Sequence, residues 1–171
     1  MNKKIFLLRL SQVLLVTICM LRECINCITD IEQYSKNLSL FYKITSFPTR
    51  EKAGLLFNRS ISSSIINHFG PIILVIAHMI VFLILLYGIV ILLKHIKTSD
   101  FQLYNTKKFV CIIGLCLGLA EYFFLYGFLA MDYFLSWMHN IDYDGDIAGY
   151  GLPLIISLLY LSLKDYQEYN P

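Results

Sequence analysis

Glu121 is the only charged side chain in the apolar run Phe109 to Met131, and it shares one helical face with Gly114 and Gly118. Small residues on that face let a neighbouring backbone approach closely, so the spacing predicts that Glu121 points into a helix bundle. His78 lies in a second apolar run, Pro71 to Leu93. With a rise of about 1.5 Å per residue and a hydrocarbon core about 30 Å thick, both side chains sit near the middle third of a membrane. His78 and Glu121 are therefore expected to form an intramembrane polar pair. Such a pair has two readings. One is a buried link that fixes helix packing; the other is a proton relay or polar substrate site with Tyr122 and Tyr126 as neighbours. The packing reading is the expectation taken forward.

Three other groups of residues invite chemistry and carry less of it. Cys24 and Cys27 stand at redox spacing. Small four-span membrane oxidoreductases that feed disulfides to the periplasm have a similar size and a CxxC in the first outer loop. They also use a second cysteine pair in the other outer loop, which this chain lacks. Asp142, Asp144 and Asp146 offer oxygen ligands to a hard cation, but an EF-hand loop needs glycine at its sixth position and a carboxylate at its twelfth. Here glycine comes fourth and Pro153 falls twelfth, so a solvated acidic loop is expected and no metal site is assigned. Trp137 and Tyr133, just past the third apolar run, are expected to anchor the chain at a membrane interface.

The elements that must position these residues follow from composition. The chain has 171 residues, of which 57% are hydrophobic and 15% charged. Soluble domains carry roughly 25% charged residues, so a single membrane domain is predicted over residues 1–171. Spans are expected at about 5–24, 71–93, 109–131 and 147–163, each within the crossing range of ~17–25 residues. The fold class is all-α: a four-helix transmembrane bundle with short extracytoplasmic helices between the first two spans. Arg9 breaks the first apolar core, and Leu21-Arg22-Glu23-Cys24 offers no small-x-small cleavage site, so this segment reads as a retained span. Arg9 is expected to snorkel back to the interface.

Residues 94–108 hold Lys94, Lys97, Lys107 and Lys108, whereas residues 132–146 hold no lysine or arginine and carry Asp132, Asp142, Asp144 and Asp146. Basic residues near span ends favour the cytoplasm. With Lys3 and Lys4, this predicts two cytoplasmic termini and an outer acidic loop. The segment 25–70 is then an outer cap, with a helix expected over 31–44 and a short amphipathic helix over 50–57. The net charge of +2, with basic residues scattered, gives no nucleic-acid footprint.

The order of landmarks resembles the domain-of-unknown-function 2165 family of predicted small bacterial integral membrane proteins. The matching stretches are Thr29-Asp30, Ser46-Phe47-Pro48, His68, Gly114-Leu115-Cys116-Leu117-Gly118-Leu119, Asp132-Tyr133-Phe134-Leu135-Ser136-Trp137 and Asp144-Gly145-Asp146. The resemblance implies four spans and a bacterial inner membrane, with no established activity. The chain departs from the family pattern in three places: His78 stands where members carry Glu, Tyr133 replaces a Trp, and span three is longer around Glu121.

Together these readings predict an accessory or structural membrane protein with no catalytic activity and no cofactor. Its partners would be membrane lipid and either another membrane protein or a second copy of the chain. The rival reading is a small oligomeric, proton-coupled carrier using Glu121 and His78. A thiol oxidoreductase using Cys24 and Cys27 is the third.

Overall fold

The computed structural model describes residues 3–45, 64–124 and 144–163, without the side chains of residues 44, 64, 66 and 144–150. The described residues are helical, with no strand among them. The helices are α1 (Lys3–Glu32), α2 (Tyr34–Thr45), α3 (Ser64–His95), α4 (Phe101–Glu121) and α5 (Asp144–Ser162). Two of these, α1 and α3, are long and apolar enough to cross a membrane by length and composition. The sequence-expected amphipathic helix over 50–57 lies outside the described residues.

The pattern of α1 shows why it packs as it does. Its buried residues, among them Arg9, Val13, Val16, Met20, Glu23 and Cys27, recur at steps of three and four. The opposite stripe, Leu7, Leu14, Ile18, Leu21, Ile25 and Ile28, is apolar and exposed. A helix in water would turn polar residues outward. Here the outward face is aliphatic while Arg9 and Glu23 point in, which is the arrangement that hydrocarbon surroundings favour. In α3 the inward stripe is Leu74, His78, Val81, Leu85, Ile89 and Leu92, so His78 occupies a regular core position.

Helix α1 packs against α3 and α5, and α4 packs against the same two, so four helices close into a ring. Helix α2 folds back on α3, where the Phe41 ring fills the space that a Cβ at Gly70 would take. Small residues set the spacing between α3 and α4. A methyl at Gly88 would overlap the Cys111 sulfur and lie 3.2 Å from its backbone nitrogen. At Gly114 it would meet Leu85 Cδ2 at 2.6 Å, whereas at Gly118 it would find ordinary contacts at 3.4 Å with Leu154 and Val81. The α1–α5 seam is polar: Ser11 Oγ lies 2.9 Å from the Tyr160 hydroxyl, Gln12 Nε2 donates to the Tyr160 carbonyl, and Cys19 Sγ lies 3.3 Å from Ser157 Oγ.

The element limits differ from the sequence reading in one instructive way. Helix α1 runs two turns beyond the expected span end and so carries Asp30 on regular helix with Glu23, and α3 begins ahead of Gly70-Pro71. Apolar runs mark where lipid begins and ends, whereas the backbone continues its hydrogen-bonded ladder past that boundary. Asp100 caps α4 by accepting from the Leu103 amide at 2.8 Å, a contact worth about 1 kcal/mol.

Candidate functional site

Three helices converge on His78. Glu23 arrives from α1 and Glu121 from the end of α4, while His78 projects from the middle of α3. The relative exposures are 0%, 7% and 2%, which puts all three beyond the reach of bulk solvent. His78 Nδ1 lies 2.8 Å from Glu23 Oε2 in a hydrogen bond and 3.1 Å from Glu121 Oε1. A ring nitrogen carries one proton, so Nδ1 serves Glu23, and Glu121 stands beside it at ion-pair distance. On the other ring edge, His78 Nε2 lies 3.5 Å from Asp30 Oδ2, and Asn37 Nδ2 of α2 donates to Asp30 Oδ1 at 3.0 Å. Asp30 reaches the rim of the cluster, with its side chain 17% exposed.

Asn26 and Tyr122 lie beside the His78 ring. Asn26 Nδ2 donates to the Tyr122 hydroxyl at 2.6 Å, and the Tyr122 ring lies 6.0 Å from the His78 ring. Beyond Glu121 the helix widens into a π-type turn over residues 122–124. Such a turn accommodates an extra residue in a helix and re-aims the side chains beside it.

Three carboxyl groups surround one imidazole, so full ionisation of the acids would place more negative charge in the cluster than the histidine can balance. Buried charge of this kind is costly unless protons or a cation compensate it. Among the described residues, no hydrogen-bond partner reaches Glu23 Oε1, Asp30 Oδ2 or either oxygen of Glu121. Glu23, His78 and Glu121 each offer one ligand atom, and these atoms lie within 4.8 Å of one another. The cluster has the donor set to hold protons or a metal ion.

The structure brings His78 and Glu121 together and adds two acids that the sequence reading did not place with them. Glu23 had been read beside Arg22 as the outer end of a span, and Asp30 as part of the cap. The signal was available: Cys19, Glu23, Cys27 and Asp30 fall on one face at steps of four and three. Arg9 reaches the α3–α4 connection. Its guanidinium is fully buried, donates to the carbonyls of Ile96 at 3.1 Å and Thr98 at 2.7 Å, and lies 4.1 Å from the centre of the Tyr104 ring. The α3–α4 connection folds over it and supplies the acceptors, so the guanidinium ends under that connection rather than in open solvent.

Cys24 and Cys27 are free thiols on α1, and Cys27 is buried with its sulfur 3.8 Å from the Val75 carbonyl. Asp144 and Asp146 begin α5, and their side chains lie outside the described residues. Asp142, Tyr133 and Trp137 also fall outside them.

Helices with aliphatic outer faces and buried ionisable groups, as the described residues show, suit an integral membrane protein. Residues 8–164 match the family described as "Predicted small integral membrane protein (DUF2165)", and the chain belongs to that family. No curated protein and no solved structure matches it.

Proposed function

We propose that the chain is a multi-pass protein of the bacterial inner membrane in which α1, α3, α4 and α5 all cross, with both termini cytoplasmic. Its function runs through the Glu23–His78–Glu121–Asp30 cluster, which takes up protons in the manner of a small proton-coupled carrier. The observation that carries this reading is the surplus of carboxylate oxygens. A polar group kept only to clamp helices is normally satisfied by its partners, whereas here buried acids outnumber the donors that face them. Basic Lys94, Lys97, Lys107 and Lys108 around the α3–α4 connection support the orientation. Asp30 at the rim then opens the cluster toward the outer face. A second reading, an accessory role through lipid or protein contacts, is favoured by the apolar outer stripes of α1 and α3.

The test is proton uptake into proteoliposomes under an imposed potential, read with an internal pH dye. Wild type is expected to acidify the lumen, and Glu121→Gln to abolish uptake while keeping the same helicity and elution profile. Equal uptake by both proteins, or none by wild type, counts against the carrier reading.

A further inference from the structure

The cluster is open to a second chemistry besides proton handling: with Nδ1 deprotonated, Glu23, His78 and Glu121 each offer one ligand atom, all within 4.8 Å of one another. Metal bonds to imidazole nitrogen and carboxylate oxygen are about 2.0–2.2 Å long, so two adjacent ligands at a right angle stand about 2.8–3.1 Å apart. His78 Nδ1 stands 2.8 Å from Glu23 Oε2 and 3.1 Å from Glu121 Oε1. Glu23 and Glu121 are each more than nine-tenths buried, and each has carboxylate oxygen without a hydrogen-bond partner among the described residues.

We infer that Glu23, His78 and Glu121 form a binding site for a divalent first-row transition metal, with Asp30 as the group that orients the histidine. Charge, donor type and support favour this class of ligand. A divalent ion cancels the two glutamates around a neutral imidazole. One nitrogen with carboxylate oxygens suits manganese, iron or zinc, and disfavours copper(I), which prefers thiolates and thioethers. Metal-binding histidines usually direct their second nitrogen at a carboxylate, which fixes the tautomer. Asp30 occupies that position opposite Nδ1 and is itself held by Asn37. Cys27 lies between Glu23 and Asp30 on α1, but its sulfur faces the Val75 carbonyl, which leaves the thiol outside the ligand set.

The inference rests on the reading of this cluster as a cation site, and metal binding is measured separately from proton uptake. The experiment titrates the full chain in nanodiscs with Mn²⁺, follows the free aqueous ion by electron paramagnetic resonance, and then displaces bound Mn²⁺ with Zn²⁺. The expected result is one Mn²⁺ per chain, released by Zn²⁺. Binding should fall at least about 100-fold in His78→Gln and Glu121→Gln, and about 10- to 100-fold in Asp30→Asn, the usual effect of removing an orienting carboxylate. Cys27→Ser should bind as wild type does. Circular dichroism of each variant reports folding, and Asp30→Asn keeps the inference testable if the more buried variants do not fold. Absence of saturable Mn²⁺ binding in wild type, or wild-type affinity in folded His78→Gln, overturns the inference. Glu121-dependent proton uptake without metal binding would overturn the metal site and leave the proton reading standing.

Discussion

Two charged layers lie inside this bundle, and they are built on opposite principles. From Arg9 to Glu23 along α1, and from Lys108 to Glu121 along α4, the helical rise is about 20 Å. At one end of that distance, buried cations meet carbonyls. Arg9 donates to Ile96 and Thr98 and lies over the Tyr104 and Phe101 rings, while Lys108 donates to the Leu163 carbonyl at 2.7 Å. These acceptors lie at or just beyond the ends of α3 and α5, where carbonyls lack helical partners and cations are favoured. At the other end, three acids crowd one imidazole and leave oxygens without donors. The first layer looks built for the fold. The second retains a cost that folding alone does not explain, and such residual cost in a membrane interior points to function.

The contrast can be broken by substitution. The largest expected effect is at Arg9: Arg9→Ala leaves the Ile96 and Thr98 carbonyls without their donor and removes the stacked stem, which should cost about 3–5 kcal/mol. Unfolding in mixed micelles, followed by circular dichroism, checks it. A loss below about 1 kcal/mol would mean that the cationic layer is dispensable. Lys108→Met keeps the length of the side chain and removes one bond to the Leu163 carbonyl, so a smaller loss of about 1–2 kcal/mol is expected in the same assay.

The division between legible and hidden parts follows the same two layers. The helical membrane character is written in long aliphatic runs with few charges, a signal that needs no tertiary information. The contact between His78 and Glu121 follows from counting residues along two regular helices toward a common depth. Glu23 escaped because it adjoins Arg22, and a basic–acidic pair at the end of an apolar run marks a boundary when hydropathy alone is read. Only the continuation of α1 to Glu32 turns Glu23 and Asp30 into residues of one helical face. The partners of Arg9 were hidden for a different reason: its acceptors belong to a connection 87 and 89 residues away in sequence. Gly88, where α3 lies against the Cys111 backbone of α4, was also hidden, since a lone glycine has no small-residue spacing to mark it.

Whether the acid–histidine layer is a site or a clamp is read from the smallest effect expected, the unfolding free energy of Glu121→Gln. The substitution preserves shape and removes one of the surplus buried carboxyl groups. Stability within about 0.5 kcal/mol of wild type, or a gain of about 1 kcal/mol, is expected, because relieving crowded buried acids is neutral or stabilising. A loss comparable to that of Arg9→Ala would contradict it and make Glu121 a structural clamp.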